Sequence, residues 1–135
     1  IFIRVTIKEP QYTAELGEQS EKVVPMLAGQ RARFWVEFKN TGNVTWKKEG
    51  NTPVILGTDE KIDRESIFYT PGFWLAPNRV GTMKQSTVAP GDTARFEILM
   101  TAPSEPGVYR EYFRPVVENM TWVEGAPVYW EIEVE

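Results

Sequence analysis

The chain of 135 residues contains no cysteine and no histidine. These absences exclude a disulfide framework, metal sites built on Cys or His ligands, a cysteine nucleophile and the Ser-His-Asp arrangement of many hydrolases. The nucleophile motif Gly-x-Ser-x-Gly is also absent, and the acidic stretch 59–65 lacks the residue spacing of a calcium loop. We therefore expect a protein that is not an enzyme, with no cofactor and no metal site.

Basic charge and long apolar runs are scarce as well. The 15 Lys and Arg residues are outnumbered by 19 Asp and Glu residues, so the formal net charge is −4. Such a chain has no excess of cations to neutralise a phosphate backbone, and we expect no nucleic acid partner. Its apolar runs are a few residues long, far short of the roughly 20 residues of a spanning helix, which predicts no membrane insertion.

Glycine and proline interrupt the chain at short intervals. The 10 Gly and 10 Pro residues are spread so evenly that the longest stretch without either is 58–70. Between these breaks apolar and polar residues alternate, most clearly over 1–7, 34–38, 94–100 and 128–134, which is the pattern of half-buried strands. In 108–117 the alternation is ambiguous and predicts a β-bulge. Many short strands without helices indicate an all-β fold, an antiparallel sandwich of about 7–10 strands.

Size and pattern predict one domain over 1–135. We expect a leading strand over 1–8, a connecting segment over 9–21 and the main sandwich over 22–135. Trp46 and Trp130 lie on alternating strands, and large aromatics dominate sandwich interiors, so both are predicted to be buried in the core. Asn40-Thr41-Gly42-Asn43 has the composition of a tight turn between two strands.

Several ordered motifs resemble the immunoglobulin-like four-tryptophan domain. They are the strand and turn from Gly29 to Trp46, the turn Ala89-Pro90-Gly91-Asp92, the run 102–109 with its two prolines and Tyr109, and the last strand with Trp130. The family occurs in selective-autophagy cargo receptors and in many bacterial proteins. The resemblance implies an immunoglobulin-like sandwich used for protein interaction, and bacterial members often belong to surface or cell-wall proteins.

Unlike the receptor members, this sequence has an insertion over 59–78 that is rich in aromatic residues. The chain is thus identified as a bacterial-type member with an aromatic loop insertion. The insertion has two interpretations that do not exclude each other. It covers a sheet edge, because edges need protection, or it forms an aromatic platform for a glycan or a hydrophobic segment of a partner. The candidate ligand-binding residues are Tyr69, Phe73, Trp74, Arg79, Trp122 and Trp35.

These observations favour a non-catalytic binding or spacer module of a larger bacterial surface or secreted protein. Its partner would be a protein or a cell-wall or surface glycan, and its location extracellular or at the cell surface. Because the chain begins at Ile1 rather than Met, we expect a processed or excised piece. The alternative is a structural repeat or assembly subunit in which residues 1–8 or the last strand pack on a neighbouring chain or domain, an idea supported by the alternation over 1–7. The oligomeric state stays open.

Overall fold

The structure is a computed structural model that describes residues 9–125 and 127–135. The predicted leading strand over 1–8 lies outside the described residues. The described part of the chain is built of strands, and it has no helix that could cross a membrane. The strands are β1 (Ala14–Gln19), β2 (Val23–Met26), β3 (Arg31–Asn40), β4 (Trp46–Lys47), β5 (Val54–Asp59), β6 (Arg79–Thr82), β7 (Thr87–Val88), β8 (Thr93–Thr101), β9 (Gly107–Val117), β10 (Thr121–Trp122) and β11 (Val128–Val134).

Two sheets form the sandwich, which confirms the predicted fold class. The first sheet has the order β1-β3-β8, and the second has the order β2-β11-β9-β5-β6 with β10 paired to β9. The short strands β4 and β7 pair separately. Pairing is antiparallel except between β2 and β11, which run parallel. The sandwich places β8 at one edge of the first sheet and β6 at one edge of the second.

Part of the predicted connecting segment is a strand. Residues Ala14–Gln19 form β1, which pairs antiparallel with β3 through Ala14 opposite Asn40 and Leu16 opposite Phe38. The register shifts between Leu16 and Gln19, and Gly17 lies in this irregular stretch. Because only Ala14 and Leu16 supply apolar side chains before the irregularity, the alternation is too short to identify the strand from the sequence.

The core contains both tryptophans that were predicted to lie there. Trp46 and Trp130 are 1% and 0% exposed, which confirms that prediction. The Trp130 ring meets Phe34 and Phe113 edge-on, with centroids 5.4 and 6.1 Å apart. Phe113 in turn meets Trp74 at 5.9 Å. Such edge-on pairs contribute about 0.5–1.5 kcal/mol each beyond the burial of their area, so this aromatic row ties the two sheets together.

The predicted β-bulge in 108–117 does not exist. β9 pairs without a register shift with β11, from Phe113 opposite Val128 to Gly107 opposite Val134. The continuous register keeps Glu111 on the same face as Phe113, and its side chain is buried at 1% exposure. The ambiguous alternation therefore has a different cause, which is a carboxylate that points into the protein and finds polar partners there.

The turn after β3 is held by a buried asparagine. Asn40 is 0% exposed, and its side-chain nitrogen donates to the carbonyl oxygens of Val44 at 2.8 Å and Val88 at 3.1 Å. Its side-chain oxygen accepts from the Gly42 N–H at 3.0 Å. A Cβ on Gly42 would lie 2.0 Å from the Gln11 carbonyl oxygen, so this position has room only for glycine. The turn is thus a packed junction of three chain segments.

Candidate functional site

The insertion over 59–78 lies against the outer edge of β8. The Phe68 carbonyl accepts a hydrogen bond from the Thr101 N–H at 3.1 Å. The Leu99 carbonyl accepts two, from the Thr70 hydroxyl at 2.9 Å and from the Trp74 indole N–H at 2.7 Å. Because β8 is an edge strand, these bonds satisfy backbone groups that an edge otherwise leaves open. The insertion thus covers a sheet edge, as the first of the two interpretations expects.

Trp74 belongs to the core rather than to an exposed platform. It is 5% exposed, and its ring packs edge-on against Phe113 and against Tyr69, at centroid distances of 5.9 and 5.8 Å. Trp74 and Tyr69 were predicted to be ligand-binding aromatics, because a loop of small and aromatic residues has no periodic pattern that would indicate which side chains are buried. Tyr69 is half-buried, and the neighbouring Phe73 is 59% exposed.

A buried ion pair fixes the start of the insertion to the second sheet. The Glu111 carboxylate accepts hydrogen bonds from the Arg64 guanidinium and, at 2.5 Å, from the Ser66 hydroxyl. Nearby, the buried Asp59 carboxylate accepts from the Arg114 guanidinium at 2.8 Å. A carboxylate at this depth is stable only when it is paired and hydrogen-bonded, so these contacts hold the loop in one position.

A groove lies where the insertion, β3, β6 and β8 meet, and we call it the β8 groove. Its volume is about 410 Å³, within the range of pockets that take a ligand or a partner's side chain. Three of the six candidate residues meet here: Trp35, Phe73 and Trp74. The remaining lining residues come from β3, β6 and β8: Arg33, Phe34, Val80, Gly81, Glu97, Ile98 and Leu99.

Two aromatic rings of the β8 groove, those of Trp35 and Phe73, each lie near one guanidinium group. The Arg95 guanidinium lies 4.1 Å from the Trp35 ring centroid, and the Arg31 guanidinium lies 5.6 Å from that of Phe73. Arg95 also pairs with Glu97 at 3.7 Å. These contacts hold two aromatic side chains in place beside the groove, because a cation over a ring face is attracted by the ring's quadrupole.

Of the other three candidates, Tyr69 packs against Trp74, whereas Arg79 and Trp122 lie together on the outer face of the second sheet. The Arg79 guanidinium is 5.2 Å from the Trp122 ring centroid and pairs with Glu118 and Asp63. Burial by itself lowers the pKa of Arg79, but the hydrogen bonds to Glu118 and Asp63 outweigh it and the pKa is raised. Trp122 covers Gly57, where an added Cβ would meet the indole at 2.9 Å. The six candidates therefore form two separate groups rather than one site.

Three residues at the β8 groove were not predicted from the sequence. Arg31 and Arg33 alternate with Ala32 and Phe34 along β3, so the pattern places them on the outer face, but it gives no reason to single them out. Gly81 lines the groove in β6, and an added Cβ there would meet no atom within 4 Å. Nothing in the sequence around Gly81 signals a cavity, because the space forms only where two sheet edges meet.

Three solved structures were found to be similar to this chain. The solution structure of the CARDB domain of the PF1109 protein from Pyrococcus furiosus is 14% identical, with a TM-score of 0.51 over 95% of this chain and 97% of that one. The crystal structure of the same domain in complex with di-metal ions is 16% identical, with a TM-score of 0.48 over 96% and 97%. The ASH / PapD-like domain 7 of human CEP192 is 13% identical, with a TM-score of 0.38 over 100% and 92%.

No curated protein matches the chain by sequence. The sequence profile of a domain family does match it, over residues 13–134, which include every strand that the structure describes. This family is described as the Ig-like domain from next to BRCA1 gene. The match includes Trp46, Trp130, the Asn40 turn and the whole insertion. The chain therefore belongs to the family of the Ig-like domain from next to BRCA1 gene.

Proposed function

We propose that this domain is a non-catalytic recognition module that binds a segment of a partner protein in the β8 groove. The observation that carries the proposal is the contrast between neighbours in the insertion. Trp74 is buried and fixes the loop, while Phe73 is 59% exposed at the rim of a groove of about 410 Å³. An exposed aromatic beside a preformed hollow is typical of protein-binding sites, since it offers apolar area with few rotatable bonds.

The rigidity of the groove supports this role. One wall consists of side chains on β3 and β8, which pair over nine residues without a register shift. The opposite wall is an insertion held by the Trp74 indole bond and by the Arg64 pair with Glu111. A groove that is built before the partner arrives loses little conformational entropy on binding, which favours affinity.

A protein segment fits this groove better than a glycan does. Glycan platforms offer open aromatic faces, whereas here the Arg95 guanidinium lies over Trp35 and the Arg31 guanidinium over Phe73. The lining mixes apolar groups such as Val80 and Leu99 with charged ones, which is the composition of a protein-binding surface.

The acidic residues at depth support a non-catalytic role. Glu111 is bonded to Arg64 and Ser66, and Asp59 is bonded to Arg114 and to the Glu60 N–H. A carboxylate that acts as an acid or a base must reach a substrate. Glu111 instead holds the insertion against the second sheet, and Asp59 at the end of β5 is paired with Arg114 on the neighbouring β9.

Display of a library of random linear peptides tests the proposal. We expect the wild-type domain to enrich peptides whose binding falls at least about ten-fold in the variant Gly81→Leu. The new side chain enters open space next to the groove, and Gly81 lies outside the left-handed region, so this variant is expected to fold normally. Val108→Ala is the matched control, because Val108 is 67% exposed and does not line the groove.

Two results would overturn the proposal. One is a set of enriched peptides that bind Gly81→Leu as tightly as the wild type, which would place their site elsewhere. The other is the absence of enriched peptides together with selective binding on an array of cell-wall and surface glycans, which would identify a glycan as the partner. Unfolding curves of both variants establish that a loss of binding does not come from a loss of structure.

The finer parts of the functional hypothesis are further proposals. We propose that the domain is a four-tryptophan member, because Trp46 and Trp130 occupy family positions and are buried. We also propose a bacterial surface or secreted parent protein with an extracellular or cell-surface location, which fractionation of cells that express the full gene product would test. The alternative assembly role rests on 1–8, outside the described residues, and a changed mass in light scattering after deletion of 1–8 would support it.

A further inference from the structure

We infer that the β8 groove selects a partner segment that carries an acidic residue next to an apolar anchor. This inference rests on the proposed function and names the chemistry of its partner. The apolar anchor would enter the groove beside Phe73, and the acidic residue would meet Arg31 and Arg33 on β3.

The border of the groove is basic although the chain as a whole is acidic. At this border and on the adjoining outer face of β3 and β8, positively charged side chains outnumber negatively charged ones. The complete chain, by contrast, has a net charge of −4. The cations are Arg31, Arg33, Lys39, Lys84 and Arg95, and the anions are Glu37 and Glu97. A local excess of positive charge on a chain that is negative as a whole favours a partner segment that carries negative charge.

Both anions are already paired. Glu97 lies 3.2 Å from the Lys84 ammonium and 3.7 Å from the Arg95 guanidinium. Glu37 lies 3.6 Å from Arg95. Within 9–125 and 127–135, no ion pair involves Arg31 or Arg33. Beside the groove, these two guanidinium groups are therefore the cations left to meet an incoming carboxylate, since Lys39 lies outside it.

The strand geometry places the two free cations where such a carboxylate would be. Arg31 and Arg33 are two positions apart on one strand, so their side chains leave the same face about 7 Å apart. Arg33 lines the groove, and Arg31 lies over the ring of Phe73 at its rim. When the partner's apolar anchor is in the groove, the partner residue next to that anchor therefore meets a pair of arginines. The planar guanidinium groups of these arginines can donate paired hydrogen bonds to a carboxylate.

Both arginines are exposed, which sets the size of the effect. An ion pair in contact with water contributes modestly, so we expect each arginine to change the dissociation constant about two- to five-fold. Charges at the rim also act on the association rate, and that contribution is screened by salt. Peptide binding should therefore weaken as the salt concentration rises.

The experiment uses the random peptide library and the binders that it yields. We expect an excess of Asp and Glu next to an apolar or aromatic position among the enriched peptides. Arg31→Glu and Arg33→Glu should each weaken the binding of the enriched peptides about two- to five-fold. Each variant should also reduce the dependence of the dissociation constant on salt concentration. Lys39→Glu is the matched control, since Lys39 is exposed on the same face of β3 but lies outside the groove. This control should bind like the wild type.

The outcomes separate this inference from the proposed function. Suppose that the enriched peptides lose binding in Gly81→Leu, show no excess of acidic residues, and bind Arg31→Glu and Arg33→Glu as tightly as the wild type. That result would overturn the charge selection and leave the groove as the binding site. An equal loss in Lys39→Glu would also overturn it, because the effect would then be one of net charge. Peptides that bind Gly81→Leu as tightly as the wild type would overturn both this inference and the proposed function. Circular dichroism of each variant verifies that it folds.

Discussion

Trp74 and Phe73 are adjacent in the chain but differ sharply in burial, which makes them a matched pair for a test of the insertion. Trp74 is 5% exposed and Phe73 is 59% exposed. We predict that Trp74→Ala lowers the free energy of unfolding by about 3–5 kcal/mol, the usual cost of deleting a buried large aromatic. Phe73→Ala should change it by about 0.5 kcal/mol or less, as an exposed substitution does.

The contacts of Trp74 explain this magnitude. The substitution deletes the edge-on pairs with Phe113 and Tyr69, which contribute about 0.5–1.5 kcal/mol each. It also deletes the indole bond to the Leu99 carbonyl, with a net contribution of about 1 kcal/mol. The Leu99 carbonyl keeps the Thr70 hydroxyl as a donor, so the additional penalty of an unpaired buried carbonyl does not apply. The remainder of the cost comes from the cavity.

Urea unfolding followed by circular dichroism measures both values, and the two variants should share the slope of the wild type. Trp74→Phe is a useful intermediate, because it keeps a ring for Phe113 and loses the indole bond, and it should cost about 1–2 kcal/mol. If Trp74→Ala unfolds within about 1 kcal/mol of the wild type, the insertion does not depend on this anchor. In that case the groove would not have the fixed wall that the proposed function requires.

Three further substitutions test contacts elsewhere in the fold by chemical unfolding. Glu111→Ala should lower the free energy of unfolding by about 2–4 kcal/mol, because it leaves the partly buried Arg64 guanidinium without its anion. An unchanged unfolding midpoint would contradict the role of this pair. Asn40→Ala should lower the free energy of unfolding by about 2–4 kcal/mol, because it removes the buried hydrogen bonds to Val44, Val88 and Gly42. A decrease of less than about 1 kcal/mol would contradict this explanation. Gly57→Ala should cost about 1–3 kcal/mol, since the new methyl group meets the Trp122 ring, and the cost should shrink in a Trp122→Ala background.

The pattern of the sequence was enough to predict the sandwich, the burial of Trp46 and Trp130 and the turn after β3. Strands such as β3 and β8 alternate over nine or more residues, so each buried position is repeated several times and the signal is strong. β1 was missed because Gly17 and a shifted register interrupt its alternation. The inward position of Glu111 was missed because the partners that stabilise it, Arg64 and Ser66, come from a distant loop.

The candidate site was predicted only in part. Composition identified the insertion and its aromatic residues, but it did not separate Trp74, which faces the core, from Phe73, which faces solvent. A loop has no fixed repeat, so each of its side chains is oriented by contacts with other elements. Likewise Arg79 and Trp122 were expected near the other candidates and instead lie on the opposite sheet.

The sequence by itself determined that this chain is an all-β sandwich around Trp46 and Trp130, because local alternation and turn residues act over a few neighbouring positions. Only the tertiary structure decided where the insertion lies and which charges remain free at the β8 groove. Those properties depend on residues far apart in the chain, such as Trp74 with Leu99 and Arg31 with Phe73, which meet only when the two sheets pack together.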